Sequence, residues 1–307
     1  MNHEQHSPEQ HSYRLTHGPY AAEILVLGAT LSRLTHSDRD LITPADGPHA
    51  PAFAGALLAP WPNRVVDGRY LFAGETRELP INEQGRHHAI HGFAHALTFV
   101  PAEPHTADTL KLTAILEPTD GYPWRLQLTA HFALDNAGLR YGLTATNLSP
   151  DPAPYGASTH PYLLAGPGPV DAWSFELAAS ERLEVAPDRL IPQLLAPWAG
   201  FAGVIGEARH DHAFTGLAWS ETGTTTARIT AAAGTGVEMS WDRTCPWVQV
   251  YSCDQGAGMP GDRAALAVEP MTCAPDAFNA GAYPFDTGLV TLAAGDTHEV
   301  GWGIRAL

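Results

Sequence analysis

Strict alternation of apolar and polar residues is the dominant pattern in this chain. Between residues 126 and 134 every even position is apolar, whereas Gln127, Thr129 and His131 occupy odd positions. The alternation resumes at residues 139–145, after the turn sequence Asp135-Asn-Ala-Gly138. Successive side chains of a strand point to opposite faces, so this pattern predicts two half-buried strands joined in a hairpin.

Further short strands are predicted along the whole chain. The runs lie at residues 22–27, 109–116, 173–177, 225–231 and 247–251, and Asp67-Gly68 predicts a tight turn between Val65-Val66 and Tyr70-Leu-Phe72. No window keeps a helical stripe beyond about two turns. Many short strands with regular turn signals predict an all-β protein, either a β-sandwich or a β-barrel.

Composition places the chain among globular, turn-rich proteins. Of 307 residues, 44% are hydrophobic and only 16% are charged, and there are 29 Gly and 26 Pro. Long surface helices need more charge than this. Residues 1–12 are polar and are expected to form a mobile tail, and residues 13–307 contain no linker-like run and are expected to form one domain.

Net charge and cysteine content limit the kinds of partner and the cellular compartment that we expect. Seventeen basic residues against 33 acidic residues give a net charge of −16, which repels nucleic acid and anionic lipid and favours a neutral small substrate. The N-terminus lacks the apolar stretch of a signal peptide, and no run of about 18 apolar residues could span a bilayer. Three cysteines without a CxxC pair indicate reduced thiols, so we expect a cytoplasmic protein.

The candidate chemistry begins at Glu269, which follows the apolar run 264–268. A carboxylate on such a run is expected to be buried, where it must be partnered or used in chemistry. A structural ion pair is one interpretation. His91 and His160 lie in similarly apolar or turn-rich segments, and one buried acid with two such histidines also suits acid–base catalysis.

A histidine-rich metal site is the competing interpretation. The imidazoles available are those of His87, His88, His91, His95, His210 and His212. The spacing is a weak signal in a chain with 16 histidines, no cysteine lies at ligand spacing, and no acid falls within residues 87–95. We therefore predict no functional metal.

Several motifs, taken in order, resemble one known family. They are Asn63-Arg64, Asp67-Gly68, Leu79-Pro-Ile-Asn82, His91-Gly-Phe93, Thr159-His160-Pro161-Tyr162, Arg209-His-Asp211-His-Ala-Phe214, Val248-Gln249-Val-Tyr251 and the block from Val268-Glu269-Pro270 to Asn279. Their order resembles that of the aldose 1-epimerases, also called galactose mutarotases, from about Tyr13 to Ile304. The family often has Gly-Gly after the first histidine, and Phe93 takes the second of these places here.

The resemblance implies a large antiparallel β-sandwich with a sugar site on one concave sheet face. It implies that Glu269 is the general base and His160 the general acid, with His91 as a second imidazole near the ring oxygen. Residues that match hydroxyl-binding positions are Arg64, Asp211 and Gln249, and Asn63 precedes the matching arginine. The expected partner is a monosaccharide bound by a monomer or a homodimer.

Anomer interconversion suits these residue types. One proton leaves the C1 hydroxyl and one reaches the ring oxygen; the ring opens, the C1–C2 bond rotates, and closure reverses both transfers. A carboxylate is ionised at pH 7 and is expected to raise the pKa of a neighbouring imidazole. We expect Glu269 and His160 to face each other across the width of a pyranose, and we expect no cofactor, since no redox change or covalent intermediate occurs.

Two alternatives on the same scaffold stay open. A hexose-6-phosphate mutarotase would need extra cations, for which Arg69, Arg86 and Arg243 are the candidates near the motifs. A sugar-binding or sensing protein would need no matched acid and base. Four aromatic residues beside the motifs suit either sugar stacking or core packing: Trp61, Phe93, Tyr162 and Phe278.

Overall fold

The computed structural model describes residues 11–45 and 50–307, which are built almost entirely of β-strands. The strands are β1 (Ser12–His17), β2 (Tyr20–Leu25), β3 (Leu31–His36), β4 (Arg39–Asp40), β5 (Leu57–Leu58), β6 (Arg64–Val66), β7 (Arg69–Phe72), β8 (Glu75–Glu78), β9 (His88–Ile90), β10 (Val100–Pro101), β11 (Thr109–Leu116), β12 (Leu126–Asp135), β13 (Gly138–Asn147), β14 (Ala153–Tyr155), β15 (Ser158–Thr159), β16 (Tyr162–Leu163), β17 (Trp173–Leu177), β18 (Ala179–Val185), β19 (Pro192–Pro197), β20 (Phe201–Val204), β21 (Asp211–Leu217), β22 (Thr224–Ala231), β23 (Gly236–Asp242), β24 (Trp247–Tyr251), β25 (Leu266–Met271), β26 (Val290–Leu292) and β27 (Thr297–Ala306).

Helical structure is minor. Within the described residues, the helices are three short 3-10 segments, Ala94–Ala96, Val170–Ala172 and Ala277–Ala282. None of the helices in this part of the chain is long and apolar enough to cross a bilayer. The predicted tail, residues 1–12, lies outside the described residues except for His11 and Ser12, and Ser12 opens β1.

A nine-stranded antiparallel sheet forms one layer, in the order β10-β11-β12-β13-β27-β23-β22-β17-β20. The predicted hairpin is confirmed: β12 and β13 pair from Leu126 opposite Asn147 to Asp135 opposite Gly138. In β12 buried residues alternate with partly buried ones, as the sequence pattern requires. The apolar face of this sheet therefore packs inward along its length.

A six-stranded antiparallel sheet, β16-β25-β24-β21-β18-β19, forms the second layer. Val248 and Val250 of β24 join the same hydrophobic core as Leu143 and Ile304 of the nine-stranded sheet. Two antiparallel sheets sharing one core make a β-sandwich, which confirms the predicted fold class.

Smaller ladders accompany the two large sheets. Strands β1–β4 form a four-stranded sheet, and β5–β15, β6–β9, β7–β8 and β14–β26 form two-stranded pairs. The predicted turn at Asp67-Gly68 connects β6 to β7, which pair with different partners. The β5–β15 and β6–β9 pairs matter most, because the segments that adjoin them carry candidate site residues. The three cysteines are buried free thiols.

Candidate active site

The outer face of the six-stranded sheet forms the floor of the site. Gln249 of β24 lies opposite Glu269 of β25, and Asp211 of β21 lies opposite Tyr251. Residues that lie opposite each other share a face, and Val248 and Val250 take the other face into the core. The alternation along three neighbouring strands therefore brings Asp211, Gln249 and Glu269 onto one surface. The Gln249 side-chain amide donates a hydrogen bond to the Asp211 carboxylate at 2.7 Å.

Glu269 is a buried carboxyl group on a wholly buried strand. All six residues of β25 are buried, and Glu269 is only 2% exposed. The apolar run that precedes it predicts this burial, since β25 lies between two strands, β16 and β24.

His160 lies beside Glu269, at the junction of β15 and β16. Its N–H donates to the Ala56 carbonyl (3.0 Å) and its carbonyl accepts from the Gly55 N–H (2.9 Å), which fixes its backbone. Nε2 of His160 is 3.4 Å from Oε1 of Glu269. The expectation that these groups face each other across a pyranose is therefore wrong: they are neighbours on one wall. In a pyranose the C1 hydroxyl oxygen and the ring oxygen are both bonded to C1, so two neighbouring side chains could reach these two oxygens.

His91 is held against Asn63 at the end of β9. The His91 N–H donates to the Asn63 carbonyl at 2.9 Å, and the two imidazole rings of His91 and His160 meet edge to face at 5.3 Å. The next residue, Gly92, has φ +63, and a Cβ there would lie 2.1 Å from the Ala59 carbonyl oxygen. Only glycine permits this close approach, which places His91 in the site.

Arg64 begins β6 and is engaged on one side by Glu83. Its Nε and Nη2 donate to the two carboxylate oxygens of Glu83 at 2.9 and 3.0 Å, and its Nη1 donates to Oδ1 of Asn63 at 3.2 Å. A guanidinium carries five N–H donors, so two of them remain for a ligand. Glu83 also accepts from Arg86 at 3.0 Å, which makes it the centre of a small ionic network.

All seven residues identified from the sequence line one pocket of about 880 Å³. They are Asn63, Arg64, His91, His160, Asp211, Gln249 and Glu269. Side chains drawn from six segments of the chain thus converge on one cavity in the sandwich.

Burial controls the pKa values of the central groups. It raises the pKa of Glu269 well above its usual value, reinforced by the negative charge of Asp211 and opposed by Arg64. It lowers the pKa of His160 to about 4 and the pKa of His91 well below its usual value. The expectation of a raised pKa for His160 is wrong, because the loss of hydration disfavours the imidazolium more than a backbone hydrogen bond favours it. Burial alone lowers the pKa of Arg64, but the carboxyl groups of Glu83, Asp211 and Glu269 more than offset it and keep this side chain cationic.

Four buried polar atoms of pocket-lining residues have no hydrogen-bond partner among the described residues. They are Oε2 of Glu269, Nδ1 of His91, Nδ1 of His160 and Nε2 of His210. Buried polar atoms without partners are costly in a folded protein and are uncommon away from functional sites. A ligand that carries several hydroxyl groups would supply the missing partners.

Of the four aromatic candidates, only Tyr162 lines the pocket. Its ring stacks on His160 at 4.9 Å. Trp61, Phe93 and Phe278 pack on one another beneath the site, with Phe93 and Phe278 at 4.9 and 5.8 Å from Trp61. Phe93, the departure from the family motif, is therefore a partly buried residue that packs against the core.

Several pocket residues lie outside the sequence motifs. Glu83, Arg86 and Phe53 come from loops whose sequences carry no periodic signal. Glu83 resembles an ordinary surface acid until its pairing with Arg64 is seen.

Of the histidines in the metal hypothesis, His91, His210 and His212 line the pocket, whereas His87, His88 and His95 lie outside it. His88 accepts from the Asp67 N–H through Nδ1 (3.2 Å) and contacts the Arg189 carbonyl through Nε2 (2.8 Å). His95 packs against Phe53, and His210 packs against Phe201. In the described part of the chain, no group of three or more His, Cys, Asp or Glu side chains is arranged to hold a metal ion.

Comparison with known proteins agrees with the fold and the motifs. The family model for aldose 1-epimerase matches residues 11–304. The chain is 34% identical to the uncharacterized protein YihR of Escherichia coli K12 over 300 residues, which cover 94% of this chain and 91% of that protein. It is 27% identical to the uncharacterized protein YphB of the same organism, over 64% of this chain and 72% of that protein. This chain belongs to the aldose 1-epimerase family.

Solved structures share the fold at lower sequence identity. A galactose mutarotase-like protein from Clostridium acetobutylicum superposes with a TM-score of 0.79 and 18% identity, covering 96% of this chain and 94% of that one. A GalM/aldose epimerase homologue from C. elegans gives 0.78 and 20%, covering 96% and 98%. These similarities establish a galactose mutarotase-like sandwich over nearly the whole chain.

Proposed function

We propose that this protein is an aldose 1-epimerase that interconverts the α and β anomers of a neutral aldohexose by opening and closing its ring. The observation that carries the proposal is the adjacency of one carboxyl group and one imidazole, Glu269 and His160, in a pocket that also presents hydroxyl-binding groups. Family membership supports the reaction class.

In this mechanism the pair shares one proton. Because burial raises the pKa of Glu269 and lowers that of His160, one proton is retained between them over a wide pH range. By these pKa directions the shared proton rests on Glu269, and its transfer to Nε2 of His160, 3.4 Å from Oε1, gives the reactive form of the pair. In that form the Glu269 carboxylate takes the proton of the C1 hydroxyl while protonated His160 gives one to the ring oxygen. After rotation about C1–C2, neutral His160 takes the proton back and Glu269 returns its own, so the pair is regenerated.

The remaining side chains hold the sugar in place. The two free donors of Arg64 suit a pair of hydroxyl oxygens, and the Asp211 carboxylate accepts from hydroxyl groups. His91 stands beside His160 as a second imidazole that can contact the ring. Holding the reacting oxygens against a fixed acid–base pair supplies orientation as well as proton transfer.

Optical rotation tests this proposal directly. Freshly dissolved α-glucose and α-galactose are expected to reach their equilibrium rotation faster in proportion to protein concentration. A protein that binds these sugars by calorimetry without accelerating the change would instead be the sugar-binding or sensing protein.

A hexose 6-phosphate is the second candidate substrate, because two partly free cations line the pocket. Of the three arginines considered from the sequence, Arg86 lines the pocket, and its side chain is 40% exposed. Arg69 and Arg243 lie outside the pocket. Arg209 also lines it and is 79% exposed. However, both lie beside carboxyl groups, Arg86 at 3.0 Å from Glu83 and Arg209 at 3.8 Å from Asp254, so a neutral sugar is favoured. Relative rates on glucose and glucose 6-phosphate distinguish the two.

The pH profile of kcat/KM is expected to be bell-shaped, with its two limbs set by the shifted pKa values of His160 and Glu269. Below about pH 4 both groups are protonated and no base remains; above the raised pKa of Glu269 both have lost their protons and no acid remains. The rate should therefore fall near pH 4 on the acid side of the range and at the raised pKa of Glu269 on the alkaline side. Polarimetry across this range, corrected for spontaneous conversion, measures it. An acid-side fall centred near pH 6.5, where a hydrated imidazole titrates, would contradict burial of a neutral His160.

Glu83→Gln is expected to raise KM about tenfold with a smaller change in kcat. The substitution removes the charge that orients Arg64, and a charge-assisted hydrogen bond contributes roughly 1.5–3 kcal/mol. Initial rates over a range of sugar concentrations measure the effect. The matched control is Glu75→Gln, which alters only an exposed pair with Arg77. Equal KM values for both variants would show that Glu83 does not position Arg64.

A further inference from the structure

Phe53 is a pocket-lining aromatic residue that neither the motifs nor the proposed mechanism uses. Its ring lies 4.6 Å from the His91 ring and 5.0 Å from the His95 ring, between centroids. The residue is partly buried and lines the same pocket as His160 and Glu269.

The segment around Phe53 is attached to the wall that carries His160. The Gly55 N–H donates to the His160 carbonyl, and the Ala56 carbonyl accepts from the His160 N–H. On the other side of Phe53, the Ala52 carbonyl accepts from the Tyr162 hydroxyl at 3.4 Å. These bonds hold Phe53 in a fixed position relative to His160.

The backbone at Phe53 is strained. Its φ is +61°, in the left-handed region that glycine adopts freely and that a bulky side chain disfavours. If the segment required only a turn here, glycine would serve it better. Asn63 and His91, two other residues of the pocket, are also left-handed, with φ +51° and +63°. Strained backbone conformations are common at functional sites, where the surrounding structure holds a side chain in the orientation that its function requires.

The other aromatic rings of the pocket are less available. Tyr162 is 4% exposed, and its ring is stacked on His160. Tyr251 belongs to the sheet floor, opposite Asp211, among the polar groups. Phe53 is therefore the aromatic ring of the pocket that packs against His91 and does not belong to the six-stranded sheet.

We propose that Phe53 binds the substrate, with its ring forming an apolar wall against the C–H face of a pyranose. A pyranose is amphipathic: its hydroxyl groups suit Arg64, Asp211 and Gln249, and its C–H face suits a flat aromatic ring. This inference rests on the proposed function, because it takes the ligand to be a sugar ring.

The test separates the ring from the backbone strain. Phe53→Gly removes both and is expected to raise KM about tenfold or more, with an unchanged or higher Tm and a smaller change in kcat. Phe53→Leu keeps an apolar side chain and the strain, and is expected to give an intermediate KM. Ala73→Gly is the matched control, because Ala73 is also left-handed (φ +52°) but lies in the turn between β7 and β8, outside the pocket. Its KM should equal that of the wild type.

The outcomes distinguish this inference from the proposed function. A wild-type protein without mutarotase activity would defeat the proposed function, and calorimetric titration of wild type and Phe53→Gly with galactose would then test the wall by affinity alone. Wild-type KM or affinity in both Phe53 variants would overturn the inference. If Phe53→Gly does not fold, the comparison is made with Phe53→Leu alone, because leucine keeps an apolar side chain packed on His91.

Discussion

Replacement of Glu269 by glutamine is expected to lower the rate of anomer interconversion by about 10²–10⁴, the usual contribution of one general base. Glutamine has nearly the same shape, so β25 should pack as before and the pocket should still hold a sugar. The amide cannot accept the proton of the C1 hydroxyl. The loss should therefore fall on kcat, with Kd for galactose changed only a few-fold.

Polarimetry and calorimetric titration on the same preparation measure both quantities. Glu299→Gln is a suitable control, because that side chain is 72% exposed and lies 3.9 Å from His131, on the nine-stranded sheet. A Glu269→Gln variant that retains more than a tenth of the wild-type rate would remove Glu269 from the role of base.

The second large effect is expected at His160. His160→Asn should lower kcat by about 10²–10⁴, because asparagine can donate a hydrogen bond to the ring oxygen but cannot deliver a proton to it. Without His160 the Glu269 base is lost below its own raised pKa, so the acid limb of the pH profile, near pH 4 in the wild type, should move to higher pH. Rates of His160→Asn and His91→Asn, measured side by side from pH 3.5 to pH 8, give the comparison.

His91→Asn distinguishes the two imidazoles. The His91 ring lies beside His160, edge to face. Replacement of His91 should therefore affect sugar binding more than proton transfer. If His91→Asn removes activity and His160→Asn does not, the acid has been assigned to the wrong histidine.

Period-two alternation predicted the long strands well. It located β11, β17 and β24 at their observed bounds, and the β12–β13 hairpin with its turn. It could not locate β5 or β15, since two buried residues have no period to recognise. Such short pairs are stabilised by distant segments, not by local pattern.

The membership of the pocket was predictable, but its geometry was not. The ordered motifs identified seven residues that the structure brings to one cavity, although their roles stay predictions. Motif order gave no sign that Glu269 and His160 are direct neighbours, nor that burial of both would reverse the expected pKa shift of His160. The contact and the pKa shift both depend on how the tertiary structure buries Glu269 and His160. Glu83 was missed because an acid in a turn is ordinary until its partner, Arg64, is known.

The most direct test of the account is exchange between the anomeric protons of equilibrated galactose, measured by two-dimensional NMR with wild-type protein and with Glu269→Gln. If Glu269 is the base, α–β exchange should be strong, should scale with wild-type concentration and should fall to near the buffer rate in the variant, which still binds the sugar. Exchange at the buffer rate with wild-type protein, or equal exchange with both proteins, would contradict it.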